Sequence, residues 1–218
     1  MQKPLAWRAF YPLVFVACAW PLAALLKEAL PVLLPAFFPD VVVPWDGDLG
    51  VNPVETLLHE TGRDALMLLI ASLAVTPIRR LTGWNRVQSV RRTVGVWSFV
   101  YAFLHFATYA AFDKLGDTAA IGEDVFERPF IFVGMLALVI LIALTVTSTN
   151  GMIRRLGRRW QRLHRLVYVA AIAGAVHFAW GQKADIGEPL IWAGVLLVLL
   201  GWRVVEAVRR RRARAVPA

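Results

Sequence analysis

Six separate stretches of this sequence are long and apolar enough to cross a membrane, and they constrain the fold more than any other feature. A membrane-spanning helix needs about 20 mostly apolar residues. Stretches of that kind lie at 10–26, 57–78, 94–112, 130–149, 163–180 and 190–205. Because lipid offers the backbone no hydrogen-bond partner, such segments cross as helices. The sequence therefore predicts an all-α integral membrane protein, a six-helix transmembrane bundle forming a single domain over residues 1–218, with no internal repeat.

The composition agrees with a membrane protein and argues against a soluble nucleic-acid binder. The chain is 58% hydrophobic, whereas soluble domains contain roughly 45–50% apolar residues. Its net charge of +9 would suit a nucleic-acid partner, but basic residues confined to cytoplasmic loops explain the charge more simply. We therefore expect membrane lipid, and no nucleic acid, around the protein. The single cysteine, Cys18, excludes a disulfide framework and a cysteine metal cluster.

The first apolar stretch is interpreted as a retained helix. It follows the basic residues Lys3 and Arg8, as the core of a signal peptide would, but it is long and several further spans come after it. We expect an uncleaved first span. The run PVLLPAFFP at 31–39 is too short and too rich in proline to span, so it is predicted to lie at the membrane interface.

Positive charge predicts the orientation of the bundle. Nineteen of the 24 lysines and arginines flank the spans on one side, and 14 of the 15 acidic residues lie elsewhere. Since cytoplasmic loops are enriched in Lys and Arg, that side is predicted to be cytoplasmic, with both termini inside. The loop at 113–128 is then external. Its carboxylates either steer a soluble partner or are ordinary solvated loop charge, and they are Asp113, Asp117, Glu123, Asp124 and Glu127.

Two histidines are predicted to lie at one depth on different helices. His105 follows Arg91 by 14 residues and His177 follows His164 by 13, which places both roughly 20 Å from the cytoplasmic surface. A heme iron held by two axial imidazoles needs this arrangement. Small residues around both would leave room for a flat macrocycle, although such residues also let membrane helices approach one another. Either histidine alone could instead only hydrogen-bond a neighbouring helix.

The other two histidines are weaker candidates. His164 lies at the cytoplasmic interface after a run of arginines, where an imidazole can be hydrated, and an ideal helix turns it about 140° away from His177. At the same inner level the third span offers Arg91 and no histidine. His59 lies near the outer end of the second span beside Glu60, where we expect an interfacial hydrogen bond.

Four stretches together resemble a known family. They are HETGRDALMLLIASLAVTPIRRLTG, RRTVGVWSFVYAFLHFATY, RPFIFVGMLALVILIALTVTSTN and RRWQRLHRLVYVAAIAGAVHFAW. In this order, and over roughly residues 45–205, the chain resembles the MsrQ (formerly YedZ) family, which belongs to the ferric-reductase-like transmembrane superfamily together with NADPH oxidases.

The resemblance implies a function and its cofactors. It implies a bacterial inner-membrane protein that binds heme b and passes electrons to a periplasmic molybdopterin-containing catalytic subunit, which repairs oxidised methionine in periplasmic proteins. The electrons would come from the quinone pool or a cytoplasmic flavin reductase, and the family is also described as binding FMN. His105 and His177 match the family's heme-ligand positions, and His164 is implicated there too; His59 also matches a family histidine. The chain would then be a non-catalytic electron-transfer subunit.

The chain departs from larger members of the superfamily, and two other functions remain open. Those relatives stack two hemes on two histidine pairs, whereas Arg91 stands at the inner position here. The positive charge of Arg91 and its neighbours suits a cofactor phosphate or lipid headgroups. The chain has no glycine-rich dinucleotide loop, so unaided oxidation of NAD(P)H is not expected. The alternatives are direct reduction of periplasmic ferric or other metal ions, and a non-redox transporter or proton pathway.

Overall fold

The computed structural model describes residues 5–40, 42–44, 46–182 and 186–215. Throughout these residues the chain forms helices and no strand. Six segments are long and apolar enough to cross a membrane, and they are Phe10–Pro35, Pro53–Thr82, Arg91–Asp113, Pro129–Val146, Arg158–Gly181 and Gly187–Arg212. The prediction of an all-α protein with six membrane-length helices is therefore confirmed.

Short helices join the long ones. In chain order the helices are α1 (Leu5–Phe37), α2 (Pro53–Thr82), α3 (Arg91–Thr108), α4 (Thr118–Glu127), α5 (Pro129–Val146), α6 (Asn150–Leu156), α7 (Arg158–Leu163), α8 (Val167–Gly181) and α9 (Gly187–Ala215). A π turn at Tyr109–Asp113 extends α3, and 3₁₀ turns occupy Asn85–Ser89 and His164–Leu166. The fifth span, expected as one helix at 163–180, is thus α7, a 3₁₀ turn and α8 in succession.

Helix α1 is longer than the first predicted span. The run at 31–39 was predicted to lie at the membrane interface as a segment too short to span; in the structure α1 continues to Phe37, with Pro31 and Pro35 inside it. Proline is tolerated in membrane helices where other groups satisfy the freed backbone. Beside Pro21 the Tyr101 hydroxyl does this: it accepts a hydrogen bond from the Leu22 N–H (2.7 Å) and donates one to the Cys18 carbonyl (2.9 Å).

The start and end of α2 are encoded locally. The Asn52 side chain accepts a hydrogen bond from the Glu55 N–H (3.3 Å) and donates one to the Glu55 carboxylate (3.0 Å), and Pro53 occupies the first turn. Both are favourable at a helix N-terminus. Gly83 ends the helix with φ +70°, a left-handed conformation that glycine adopts without steric cost. These signals fix which residues of α2 lie level with α3.

The helices pack as two pairs. Helix α2 packs chiefly on α3, and α5 on α8, while α1 lies against α2 and α3, and α9 against α8 and α2. The main core joins the two pairs through Leu66, Leu69, Ile70, Leu73, Ile140, Leu141, Leu144, Val167, Ala170, Ala171, Ala175 and Leu196. Leu197 and Val198 on α9 are 69% and 73% exposed. Apolar surface of this kind suits lipid contact.

The two ends of the bundle carry opposite charge. At one end, α6 and α7 hold five arginines, Arg154, Arg155, Arg158, Arg159 and Arg162, and Arg92 of α3 donates to the Ser148 carbonyl and the Asn150 side chain. At the other end, the segment predicted as a loop contains α4, whose N-cap Asp117 accepts hydrogen bonds from the Ala119 and Ala120 N–H groups. We call these the arginine-rich end and the acidic end.

Candidate cofactor site

A cavity of about 610 Å³ lies between α2, α3, α5 and α8. It reaches from the acidic end toward the middle of the bundle. Its walls are mainly apolar, and polar side chains line it toward the acidic end, namely Asn52, Glu55, His59, Arg63, Asp113, Arg128 and Gln182. Small-molecule sites usually measure roughly 300–1,000 Å³ and combine apolar walls with a few polar groups. The cavity is therefore of a size and character to hold an organic cofactor.

Two imidazoles face each other across this cavity. His105 reaches it from α3 and His177 from α8. Their ring centroids are 5.9 Å apart, and the ring planes are nearly perpendicular at 84°. The structure thus brings together the two histidines that the sequence placed at one depth.

A backbone carbonyl orients each imidazole. His105 Nδ1 lies 2.8 Å from the Leu58 carbonyl oxygen, and His177 Nδ1 lies 2.7 Å from the Phe130 carbonyl oxygen. Because a carbonyl only accepts, Nδ1 is the protonated nitrogen in both rings, which leaves Nε2 with a lone pair. Histidines that bind metals commonly donate their second N–H to a carbonyl in this way. Both rings are therefore in the tautomer that a metal ligand needs.

A glycine stands behind each imidazole. A Cβ built on Gly62 would lie 2.9 Å from His105 Nδ1, and one built on Gly134 would lie 2.7 Å from His177 Nδ1. Both distances are shorter than ordinary van der Waals contact. Each ring therefore occupies space that any other residue at the glycine position would fill.

The residues around His105 have counterparts around His177 that lie 72 positions later in the sequence. Sequence analysis predicted no internal repeat, but carbonyl, glycine and imidazole recur with the same spacing on α2–α3 and on α5–α8. The counterparts are Leu58 and Phe130, Gly62 and Gly134, and His105 and His177. One local arrangement is therefore used twice, once on each side of the cavity.

This geometry fits a heme iron. With metal–nitrogen bonds of about 2.0 Å, and about 1.1 Å from ring centre to nitrogen, two imidazoles on opposite sides of one metal have centroids about 6.2 Å apart. The observed separation of 5.9 Å is close to that value. Within the described ranges no group of three or more His, Cys, Asp or Glu side chains could hold a bare ion. An iron porphyrin would supply the remaining metal ligands from the nitrogens of its macrocycle.

His164 lies apart from this pair, at the arginine-rich end. Its ring stacks on Trp160 with centroids 3.9 Å apart, and its Nε2 is 3.1 Å from Thr147 Oγ1. That hydroxyl already donates to the Ala143 carbonyl at 2.7 Å, so it accepts from His164, whose Nε2 then carries the hydrogen. Arg91, the first residue of α3, belongs to the same end. The structure does not bring either residue to the cavity between His105 and His177.

His59 lies at the rim of the cavity. Gln182 Nε2 donates a hydrogen bond to His59 Nδ1 at 3.1 Å, and both residues line the opening. The sequence placed an interfacial hydrogen bond at His59, and Gln182 is the partner that the structure supplies. His59 therefore contributes a polar group to the cavity opening rather than facing His105 and His177 as a third imidazole.

A compact ionic network closes the acidic end beside the cavity. Asp124 is only 6% exposed and accepts hydrogen bonds from Lys114 Nζ (2.6 Å) and the Tyr109 hydroxyl (2.7 Å), with Arg128 Nε at 3.2 Å. These contacts, that of Lys114 first, hold the pKa of Asp124 below its usual value. Asp124 was predicted to belong to an exposed docking face, and this was wrong, because its carboxylate is buried in this network. Asp113, Asp117, Glu123 and Glu127 are exposed.

The sequence alone does not distinguish four residues of the site, Leu58, Gly62, Phe130 and Gly134. Leu58 and Phe130 contribute only their backbone carbonyl groups, and because every residue has one, the sequence does not mark these positions. The glycines look like ordinary small residues of membrane helices. The one usable signal was the spacing, since Gly62 precedes His105 by as many residues as Gly134 precedes His177.

Comparison with known proteins gives a consistent picture. The family model described as the ferric reductase like transmembrane component matches residues 61–175, which include His105 and His164 and end two residues before His177. Similar curated proteins carry the name protein-methionine-sulfoxide reductase heme-binding subunit MsrQ. The one from Rhodospirillum rubrum is 50% identical over 173 residues, which cover 79% of this chain and 83% of that protein.

Two further relatives bear the same name. The protein from Brucella anthropi is 48% identical over 166 residues, covering 76% of this chain and 75% of its own length. The protein from Xanthomonas euvesicatoria pv. vesicatoria is 44% identical over 174 residues, covering 78% and 80%. The similarity thus extends over most of this chain and most of each relative.

Proposed function

The chain belongs to the MsrQ family, within the ferric reductase like transmembrane proteins, and from that membership we propose that it is the heme-binding electron-transfer subunit of a protein-methionine-sulfoxide reductase system. It would carry heme b in the cavity between α2, α3, α5 and α8, with His105 and His177 as the axial ligands. The catalytic reduction of methionine sulfoxide would take place on another subunit.

The observation that carries this proposal is the paired geometry of His105 and His177. Both imidazoles are held by backbone carbonyls in the tautomer with a free Nε2, and their centroids are 5.9 Å apart across a cavity of cofactor size. A transporter or proton pathway would not require two imidazoles in the same tautomer at a centroid separation that would suit two residues holding one metal. The same two nitrogens are the ones that an iron porphyrin needs.

Heme supplies one-electron chemistry, and the protein supplies its orientation, its potential and its isolation from water. The Leu58 and Phe130 carbonyls hold the imidazole rings in place and increase the basicity of Nε2. Leu66, Leu69, Leu138 and Leu141 form part of the apolar wall that keeps solvent away. Burial and axial ligation are the main means by which a protein tunes a heme potential.

The direction of electron flow follows from the proposed orientation. With the arginine-rich end in the cytoplasm, the acidic end and the cofactor cavity lie toward the periplasm of the bacterial inner membrane. Electrons would enter from the quinone pool or a cytoplasmic flavin reductase and leave to a periplasmic molybdopterin-containing subunit. Support for the exit side is the position of the cavity, which is lined at the acidic end by the exposed carboxylate of Asp113.

FMN is the second cofactor proposed, and it rests on the family resemblance. A flavin phosphate needs cationic groups, and the arginine-rich end provides them on α6 and α7 and at Arg91. Anionic lipid headgroups would use the same arginines. Flavin fluorescence released on denaturing the purified protein tests this proposal separately from that of the heme.

The function is tested by electron delivery from the purified protein. We expect a red protein with a reducible Soret band whose reduced form is reoxidised by a soluble periplasmic methionine-sulfoxide reductase subunit together with methionine sulfoxide. Reoxidation by ferric chelate alone, without need for that subunit, would favour a direct metal-ion reductase. A colourless protein would contradict the heme proposal and favour a transporter or proton pathway.

A further inference from the structure

The contacts behind His105 and His177 involve imidazole atoms and not helix backbone. A Cβ at Gly62 would lie 2.9 Å from Nδ1 and 3.0 Å from Cε1 of His105. A Cβ at Gly134 would lie 2.7 Å from Nδ1, 2.8 Å from Cε1 and 3.1 Å from Cγ of His177. Since real Cβ atoms essentially never approach other atoms within 3.0 Å, an alanine at either position would force the ring to move.

Glycines in α3 and α8, the helices that carry the two histidines, meet nothing of this kind. A Cβ on Gly174, three residues before His177, would lie 3.5 Å from Leu66 Cδ1, which is an ordinary contact. A Cβ on Gly95, in the first turns of α3, would have no atom within 4 Å. A Cβ on Gly194 of α9 would likewise meet nothing within 4 Å. The close approach to an imidazole is therefore a property of Gly62 and Gly134, and Gly95 and Gly194, which do not line the cavity, serve as controls.

We propose that Gly62 and Gly134 are positioning residues that seat the two axial imidazoles and thereby set their mutual angle. The inference rests on the proposed heme ligation by His105 and His177. Neither glycine touches the cofactor in this role. Each acts through the histidine in front of it, by leaving the space in which the ring lies while Nδ1 donates to the carbonyl one turn earlier, at Leu58 or Phe130.

The effect of an alanine follows from how tightly each ring is held. The hydrogen bonds from Nδ1 to the backbone carbonyls are short, at 2.8 and 2.7 Å. The rings therefore cannot move away from an added methyl group without changing these bonds. The ring must therefore lengthen that bond or rotate about its χ2 angle. Either movement changes the direction of Nε2 and the 84° between the ring planes. The closer approach at Gly134 predicts a larger disturbance there than at Gly62.

A purely structural role for the glycines makes a different prediction. Small residues let membrane helices pack closely, and alanine would then push α2 from α3, or α5 from α8, whatever residue stood at 105 or 177. In the positioning role the alanine is harmful only while an imidazole occupies the space. Removing the imidazole should therefore remove the cost of the alanine.

The spectral test compares Gly62→Ala and Gly134→Ala with Gly95→Ala and Gly194→Ala, which lie outside the cavity lining, in the purified full chain. The low-spin ferric EPR signal depends on the angle between the axial ring planes. We expect a shifted signal, a shifted midpoint potential and a lower heme-to-protein ratio, with Gly134→Ala affected more than Gly62→Ala and both controls resembling the wild type. Unshifted spectra in both test variants would contradict the inference. If Gly134→Ala cannot be purified, the milder Gly62→Ala carries the test.

A double-mutant comparison separates positioning from helix packing. The fall in thermal midpoint caused by Gly62→Ala should be present in the wild-type background and absent in the His105→Ala background, and likewise for Gly134→Ala with His177→Ala. An equal fall in both backgrounds would overturn the inference and leave the proposed function intact. A colourless wild-type protein would instead contradict the proposed function, and the inference with it.

Discussion

The imidazoles of His105 and His177 meet at 84°, with centroids 5.9 Å apart, although they belong to helices that pack chiefly on other partners. His105 lies on the α2–α3 pair and His177 on the α5–α8 pair. The α2–α3 pair and the α5–α8 pair therefore each contribute one imidazole to the same cavity. A ligand held by both would join the two pairs, and this relationship connects the fold to the proposed function.

Tyr101 couples α3 to the proline-containing helix α1. Its side chain is fully buried, and Tyr101→Phe would remove two hydrogen bonds while keeping the ring, leaving the Leu22 N–H and the Cys18 carbonyl without the hydroxyl. We expect the free energy of unfolding in detergent to fall by about 1–3 kcal/mol. Tyr11→Phe, which removes a single hydrogen bond to Thr93 at an exposed residue, should cost less. Equal stability of the wild type and Tyr101→Phe would show that the hydroxyl does not support α1.

Asp124 should make the acidic end sensitive to acid. Because its pKa is lowered in the folded protein, its charge stabilises folding at pH values above its unfolded value of about 3.9. This contribution is lost as the pH falls through the folded pKa. Asp124→Asn should therefore lower the thermal midpoint at pH 7 and weaken its dependence on pH below about 4. Glu123→Gln, on the exposed face of α4, serves as the control. Identical pH profiles for the wild type and Asp124→Asn would contradict this role.

The orientation can be measured with single cysteines in a Cys18→Ala background. Glu123→Cys on α4 should react with an impermeant thiol reagent added to intact spheroplasts. Arg155→Cys on α6 should react only after lysis. Both side chains are exposed in the structure, so accessibility within the fold does not favour either. The reverse pattern of labelling would place the acidic end in the cytoplasm and overturn the proposed direction of electron flow.

The exposed carboxylates of the acidic end are expected to steer the soluble partner. Neutralising Asp113, Glu123 and Glu127 together should slow electron delivery at low ionic strength and flatten its dependence on salt, because exposed charges act mainly on association and are screened. Neutralising the exposed Arg211 and Arg212 on α9, to which no cofactor is assigned, is the control and should leave delivery unchanged. An unaltered salt dependence in the triple variant would remove these carboxylates from the docking surface.

The helices and the paired histidines were predictable because simple periodic rules govern them. Each span contains about 20 apolar residues, and the constant helical rise puts His105 and His177 at one level. The end of α1 was not predictable, since Pro31 and Pro35 resemble helix breakers. The structure shows that a helix with internal prolines can gain backbone partners from elsewhere, as the Tyr101 hydroxyl provides beside Pro21.

The remaining residues of the site matter because of contacts with other helices, and such contacts cannot be recognised in the sequence. Gly62 and Gly134 matter because a ring from another helix lies against them. In the sequence Asp124 resembles the other acidic residues of a charged loop. In the structure α4 places its carboxylate in contact with Lys114 and Tyr109. The recurring spacing between glycine and histidine was visible in the sequence, but only the structure gives it a meaning.

The central claim is that His105 and His177 ligate one heme, and the most direct test is the absorbance and pyridine-hemochrome assay of three alanine variants beside the wild type. His105→Ala and His177→Ala should each lose the heme or its low-spin spectrum. His164→Ala should retain that spectrum, because its ring is held by Thr147 and Trp160 at the arginine-rich end. Loss of the low-spin heme in His164→Ala, with an unchanged spectrum in His105→Ala, would contradict the account.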